Sequence, residues 1–139
     1  MVSLTGSYNA GAVMRSASEN ITKVSLELGG KAPAIVMDDA DIDLAVRSIV
    51  ASRVINTGQV CNYTERVYVH EKVADEFIKK VVKAMEQIKY GNPLVDENPD
   101  MGPLASKDAL ESVEKMVQKA VANGAKVLTG GKRSTREKG

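Results

Sequence analysis

Short apolar runs alternate along this chain with longer stretches of helical periodicity, and the alternation restricts the fold more than any other feature of the sequence. Strands are predicted at residues 1–5, 21–28, 32–37, 66–70 and 126–131, and helices at 8–20, 41–57, 71–91 and 107–123. Strand–helix alternation of this kind indicates an α/β fold. The run at 32–37 is apolar throughout, which is typical of a strand covered on both faces.

Capping residues and stop signals mark the ends of these helices. Asp41 or Asp39 is the predicted N-cap of the second helix, and Gly58 its C-terminal stop. The third helix is expected to end at Gly91-Asn92-Pro93. His70 precedes this helix directly, so we expect it to cap the helix or lie on the surface.

Apolar residues at helical spacing predict which faces turn inward. Ser106 is the predicted N-cap of the fourth helix and Gly124 its stop. The inward residues are Ile42, Ala45, Val46, Ile49, Val50 and Val54 in the second helix, Val73, Phe77, Val81, Ala84 and Ile88 in the third, and Leu110, Val113, Val117 and Val121 in the fourth.

Composition excludes several classes of function. The chain has 139 residues, enough for a sizeable core, and 19 Lys+Arg against 18 Asp+Glu, so we expect no nucleic-acid partner. A single cysteine forms no internal disulfide, and the start resembles no signal peptide, which together predict a cytoplasmic protein. No apolar stretch approaches the ~18 residues of a membrane span, and no cluster has metal-ligand spacing.

Cys61, the only cysteine, lies in the stretch VINTGQVCNYTER. A buried, inert thiol is the commoner role of a free cysteine. Gly58-Gln59 before it and Asn62 after it favour a different role, because a turn can present a thiol as a nucleophile. The backbone N–H of Cys61 is then a donor to an oxyanion formed on a bound carbonyl.

Glu27 ends an apolar strand, with a leucine on either side and Gly29-Gly30 following. One interpretation is a strand-end carboxylate that points to water, with the glycines simply turning the chain. In the other, Glu27 is a general base, and the glycines let a flat ligand ring approach the backbone.

Gly6 and Ser7 connect the first strand to the first helix. A helix N-terminus after a glycine is suited to a phosphate, and the Ser7 hydroxyl is a further donor. A plain strand-to-helix turn explains the same residues, because the full glycine fingerprint of dinucleotide-binding proteins is missing.

The segments TGS, LELGGKAP and NTGQVCN, in this order, resemble the aldehyde dehydrogenase superfamily. GNP at 91–93, MGPL at 101–104 and GAKVLTGGK near the end are similar to family connections. KAPAIVMDDADIDLAV and GQVCN most resemble the lactaldehyde and glycolaldehyde dehydrogenase branch. The resemblance covers essentially the whole chain.

The resemblance implies an oxidation of an aldehyde to an acid with NAD, or NADP, through a thiohemiacetal and a thioester. It assigns the nucleophile to Cys61 and the base that activates water to Glu27. Gly6 and Ser7 would lie near the pyrophosphate, and Leu28 and Gly29 near the nicotinamide. Asn62 would touch the substrate, although a local role in the turn is equally consistent with its position.

The resemblance also implies a domain boundary. Residues 1–28 would end a Rossmann-like dinucleotide domain, and residues 29–139 would begin the catalytic domain. Family segments with the oxyanion asparagine and the ribose-binding residues have no match here. We therefore expect a fragment of a longer homo-oligomeric enzyme, inactive by itself.

Two other functions compete with this one. The first is a non-catalytic α/β piece that serves assembly or binding. The second is a dehydrogenase that passes its acyl group to CoA or phosphate, in which a base such as Glu27 is often unused. The presence of Glu27 favours hydrolysis.

Overall fold

The computed structural model describes residues 1–19 and 22–134. Predictions for Asn20, Ile21 and the last five residues lie outside the described residues. The elements, in chain order, are β1 (Val2–Thr5), α1 (Tyr8–Ser18), β2 (Val24–Glu27), β3 (Pro33–Val36), α2 (Ile42–Val54), β4 (Arg66–Val69), α3 (Glu71–Glu86) and α4 (Lys107–Ala122).

Two strand–helix–strand units make up the α/β architecture. β1 and β2 pair in parallel with α1 between them in sequence, and β3 and β4 pair in parallel with α2 between them. Parallel neighbours need such a crossover. Each unit packs within itself, and no helix or strand of the first unit packs on a described helix or strand of the second. The loop between β2 and β3 connects the two units along the chain.

The core lies between β3, α2 and α3. Val36, Val46, Val50 and Phe77 are its buried residues, and every predicted inward residue of the second and third helices packs in or against this group. The predicted capping chemistry is confirmed at α2 and α3. The Asp41 carboxylate accepts from the Leu44 N–H at 3.0 Å, and His70 Nδ1 accepts from the Lys72 N–H at 3.3 Å. Asp41, not Asp39, is thus the N-cap of α2.

Two predicted helix ends are wrong. α2 ends at Val54, because Ile55 takes an extended ψ of 125° that breaks the helical path, and Gly58 lies in a separate turn at Ile55–Gly58. α3 ends at Glu86, well before Gly91, although Ile88 beyond it still packs on the core.

α4 begins after Ser106, whose hydroxyl accepts from the Ala109 N–H at 3.1 Å, as predicted. It packs on no other described helix or strand, and Val113 and Val121 on its predicted inward face are 41% and 47% exposed. The strand predicted at 126–131 is wrong: within the described chain these residues pair with no strand, and without a partner an extended segment forms no sheet.

The expectation that residues 32–37 are covered on both faces is also wrong. α2 and α3 cover one face of β3–β4. On the other face Ile35 and Tyr68, which stand opposite each other in the register, are 70% and 55% exposed. We call this face, carried by Ile35 and Tyr68, the open sheet face.

Candidate active site

The carboxyl ends of β1 and β2 bring the first group of predicted site residues together. Thr5 and Glu27 are partners in the parallel register, and the Gly6 N–H donates to the Glu27 carbonyl at 2.9 Å. Gly6 and Ser7 therefore lie beside the residues that follow β2. In parallel sheets this end of the strands is where ligands bind.

Ser7 is the N-cap of α1 but does not cap it with its side chain. Its carbonyl accepts from the Gly11 N–H at 3.1 Å, whereas its exposed hydroxyl makes no capping hydrogen bond. The N–H groups of the first helical turn and this hydroxyl thus face the same end of the sheet as Glu27. Such donors suit an anionic group.

Glu27, Leu28 and Gly29 differ in their surroundings. Glu27 is exposed, so among the described residues it lacks the apolar setting that its leucine neighbours suggest. The half-buried Leu28 side chain packs on α1, where a Cβ on Gly11 would lie 2.9 Å from its Cδ1. A Cβ on Gly29 would meet nothing within 4 Å, so the space beside Gly29 is open.

Gly30 brings the Cys61 loop to this group. A Cβ built on Gly30 would lie 2.0 Å from the Cys61 carbonyl oxygen, a distance that no side chain tolerates. Glycine is therefore required at position 30 by close approach of two backbones. Because three residues of extended chain span at most about 11 Å, the Glu27 Cα lies within that distance of the Gly30 Cα.

Further contacts hold these segments together. The Ala32 carbonyl accepts from the Glu65 and Arg66 N–H groups at 3.0 and 3.3 Å. The Lys31 carbonyl accepts from Arg66 Nε at 3.1 Å, and the Lys31 ammonium pairs with the Glu65 carboxylate. We call this set, residues 30–32 with 61–66, the interloop contact. Lys31 lies within it at a left-handed φ of 55°.

Charge and burial set the ionisation of two residues in the Cys61 loop. The hydrogen bond from Lys31 holds the pKa of the Glu65 carboxyl below its usual value, against the opposing effect of partial burial. Burial raises the pKa of Tyr63, and the neighbouring Glu65 carboxylate adds to that effect. The Arg53 guanidinium lies 4.5 Å from the centre of the Tyr63 ring.

The other side of the loop is tied to the segment before α4. Thr57 Oγ1 donates to the Gly102 carbonyl at 3.0 Å. Gln59 Oε1 accepts from the Ala105 N–H at 2.9 Å, and its Nε2 donates to the Asn56 carbonyl at 3.0 Å. We call these three hydrogen bonds the Thr57–Gln59 clamp.

Cys61 and Asn62 are exposed at the tip of the loop, and Cys61 is a free thiol. Cavities of about 430 and 170 Å³ lie elsewhere, among residues 90–134, and neither is lined by Cys61 or Glu27.

Within residues 1–19 and 22–134 no group of His, Cys, Asp and Glu is placed to hold a metal ion. In the same ranges, every helix is too short or too polar to cross a membrane.

The sequence alone did not indicate a role for Lys31, Thr57 or Glu65, and it indicated Gln59 only as part of the turn before Cys61. Lys31 directly follows Gly29-Gly30, and Glu65 lies in the Cys61 loop. The two partners are 34 residues apart, so local sequence patterns do not indicate that they pair. The positive φ of Thr57 carries no signal in residue type, since a β-branched threonine seldom takes such an angle.

Comparison with known proteins identifies the family. The aldehyde dehydrogenase family model matches residues 1–139. Over 133 residues, 95% of this chain and 28% of the relative, the chain is 57% identical to a lactaldehyde dehydrogenase of Escherichia coli. The crystal structure of lactaldehyde dehydrogenase from Escherichia coli aligns with a TM-score of 0.93 at 56% identity, over 97% of this chain and 28% of that one.

Two further relatives extend the comparison. A D-glyceraldehyde dehydrogenase (NADP⁺) of Picrophilus torridus is 46% identical over 96% of this chain and 27% of its own. A betaine aldehyde dehydrogenase of Staphylococcus aureus, solved in complex with NAD⁺, aligns with a TM-score of 0.91 at 36% identity, over 98% of this chain and 27% of its own. This chain thus spans just over a quarter of each relative, and its α/β architecture is part of their fold. It belongs to the aldehyde dehydrogenase family.

Proposed function

We propose that the protein carrying this segment oxidises a small aldehyde to a carboxylic acid with NAD⁺ or NADP⁺, and that Cys61 and Glu27 carry the reaction. The main support is the close approach of Gly30 to the Cys61 carbonyl, which joins the strand end that bears Glu27 to the loop that bears the thiol. The 57% identity to a lactaldehyde dehydrogenase favours a short hydroxyaldehyde as substrate.

The residues at the carboxyl ends of β1 and β2 fit a nicotinamide dinucleotide. The Ser7 hydroxyl is exposed and makes no capping hydrogen bond. This hydroxyl and the N–H groups at the N-terminus of α1 therefore suit the pyrophosphate. The open space beside Gly29 suits a flat ring against the backbone next to Leu28. When bound, the dinucleotide accepts a hydride. The relatives include an NADP⁺ enzyme and an NAD⁺ complex, so we assign the cofactor class as NAD(P).

In the proposed reaction, the Cys61 thiolate attacks the aldehyde carbon and forms a thiohemiacetal. The Cys61 backbone N–H donates to the resulting oxyanion, and Asn62, exposed beside it, contacts the substrate. Loss of the hydride leaves a thioester on Cys61. Glu27 removes a proton from water, the hydroxide attacks the acyl carbon, and the acid leaves as the Cys61 thiolate returns.

We further propose that residues 1–28 belong to the dinucleotide domain and residues 29–139 to the catalytic domain. The absence of packing between the described helices and strands of the two units supports a boundary between β2 and β3. Assembly into a homo-oligomer and a cytoplasmic location remain predictions of the sequence.

The test measures NADH or NADPH formation by the full-length protein with lactaldehyde, glycolaldehyde and glyceraldehyde, and identifies the acid product. We expect Cys61→Ala and Glu27→Gln each to lower kcat by at least about a hundredfold. Glu97→Gln removes a similarly exposed carboxylate outside the proposed site and should leave kcat unchanged. Unaltered turnover in the Cys61 variant would overturn the proposal. Turnover that requires CoA and yields an acyl-CoA would support the CoA-acylating alternative instead.

A further inference from the structure

Three consecutive residues before Cys61 lie in the left-handed region of backbone conformation. The φ angles of Asn56, Thr57 and Gly58 are 46°, 59° and 76°. Glycine and asparagine take such angles readily, whereas a β-branched threonine does so only under strain. Strained backbone persists where surrounding contacts over-determine it, and it concentrates at functional sites.

The Thr57–Gln59 clamp supplies the contacts that hold this turn. Thr57 itself, the strained residue, donates to the Gly102 carbonyl. The two ends of the Gln59 amide bridge the Asn56 carbonyl and the Ala105 N–H. The clamp thus fastens the chain immediately before Cys61 to a segment that lies more than 40 residues later, while the interloop contact fastens the chain on the other side of it.

We propose that Thr57 and Gln59 are positioning residues for the Cys61 nucleophile. Their side chains fix the path of the backbone into Cys61, so that the thiol and its N–H keep one orientation toward the proposed carbonyl site. The inference rests on the proposed function, because it assumes that Cys61 is the reacting group. Neither side chain is assigned any contact with substrate or cofactor.

Matched substitutions separate positioning from general stability. Thr57→Val keeps the shape and β-branching but removes the donor to Gly102, and Thr57→Ser restores it. Thr64→Val removes a hydroxyl hydrogen bond in the same loop but after Cys61, where Thr64 Oγ1 and Ser52 Oγ are 3.2 Å apart. Gln59→Glu keeps the acceptor for the Ala105 N–H and loses the donor to the Asn56 carbonyl.

The readout is the rate at which iodoacetamide alkylates Cys61 in the full-length protein, across a range of pH, together with kcat and KM. Trypsin cleaves after Arg53 and Arg66, so one peptide, residues 54–66, reports on Cys61 alone. We expect Thr57→Val and Gln59→Glu to lower the alkylation rate and kcat by about tenfold or more, with little change in KM. Thr57→Ser and Thr64→Val should stay within about twofold of the parent.

The outcomes are decisive in both directions. Parent-like alkylation and kcat in both Thr57→Val and Gln59→Glu would overturn the inference, as would an equal loss in Thr64→Val or no rescue by Thr57→Ser. If Thr57→Val fails to fold, Gln59→Glu compared with Thr64→Val gives the same decision. A parent protein that oxidises no aldehyde refutes the proposed function, whereas the alkylation rates still decide whether the clamp positions the thiol.

Discussion

Gly30 and Cys61 touch through their backbones: a Cβ added to Gly30 would lie 2.0 Å from the Cys61 carbonyl oxygen. Further along the two segments, the Lys31 ammonium pairs with the Glu65 carboxylate, and the Ala32 carbonyl accepts from the Glu65 and Arg66 N–H groups. The interloop contact therefore fixes the segment that follows Glu27 against the loop that bears Cys61.

Gly30→Ala tests this close approach. The added methyl group must displace the Cys61 carbonyl, and we expect a loss of about 1–3 kcal/mol in the free energy of unfolding, as for other overpacked sites. Denaturant unfolding of the 139-residue chain provides the measurement. Gly29→Ala is the matched control, because its Cβ meets nothing within 4 Å and should leave the unfolding free energy nearly unchanged. Equal stability of the two variants would contradict the contact.

Lys31→Met tests the ion pair of the interloop contact. The Lys31 hydrogen bond lowers the pKa of Glu65 below the 4.5 of a free glutamate, so the pair stabilises the fold above that pH and the contribution is lost as the pH falls through the folded pKa. We expect Lys31→Met to raise the Glu65 pKa and to cost less than about 1 kcal/mol near pH 7.

Carboxyl-carbon NMR titration of Glu65 in the parent chain and in Lys31→Met provides the measurement, with unfolding compared near neutral and acidic pH. The difference in stability should shrink as the pH falls. Lys72→Met is the control, since it removes an exposed ion pair with Asp38 in a different place. A Glu65 pKa that does not change in Lys31→Met would refute the assignment of Lys31 as the cause.

Local signals in the sequence predicted the helices and the core well. The Asp41 cap and the apolar stripes of α2 and α3 depend on residues three or four positions apart, and all of them hold in the structure. The turn at Ile55–Gly58 could not be predicted in the same way, because its conformation is held by Gly102 and Ala105, far along the chain.

The failed strand predictions have a related cause. Residues 126–131 have the composition of a strand, but a strand exists only where a partner supplies its hydrogen bonds. Ile35 has the apolar character of a residue covered on both faces, yet only one layer of helices packs on β3–β4 among the described elements. The composition of a segment indicates that it would suit a paired strand or a face covered by other elements. It does not indicate whether the rest of this chain provides the partner strand or the covering layer.

The open sheet face predicts how the 139-residue chain behaves by itself. Because Ile35 and Tyr68 present apolar surface to water, we expect the isolated chain to bind the dye ANS. We also expect it to produce no steady NADH from aldehyde, since it spans 28% of its lactaldehyde dehydrogenase relative. Ile35→Thr with Tyr68→Thr should lower the dye fluorescence. Leu94→Ser should not, although Leu94 is 89% exposed, because it lies in a loop outside the sheet. Steady NADH formation that Cys61→Ala abolishes would contradict this prediction.

The most direct test of a shared role for Cys61 and Glu27 is mass spectrometry of the acyl intermediate. The full-length Glu27→Gln variant is mixed with NAD⁺ and the best aldehyde substrate, quenched in acid and digested with trypsin. The proposed mechanism predicts one equivalent of NADH per site and an acyl group on the peptide of residues 54–66, because the thioester forms on Cys61 but water is not activated. Turnover at the parent rate, or an NADH burst that leaves this peptide unmodified, would contradict it.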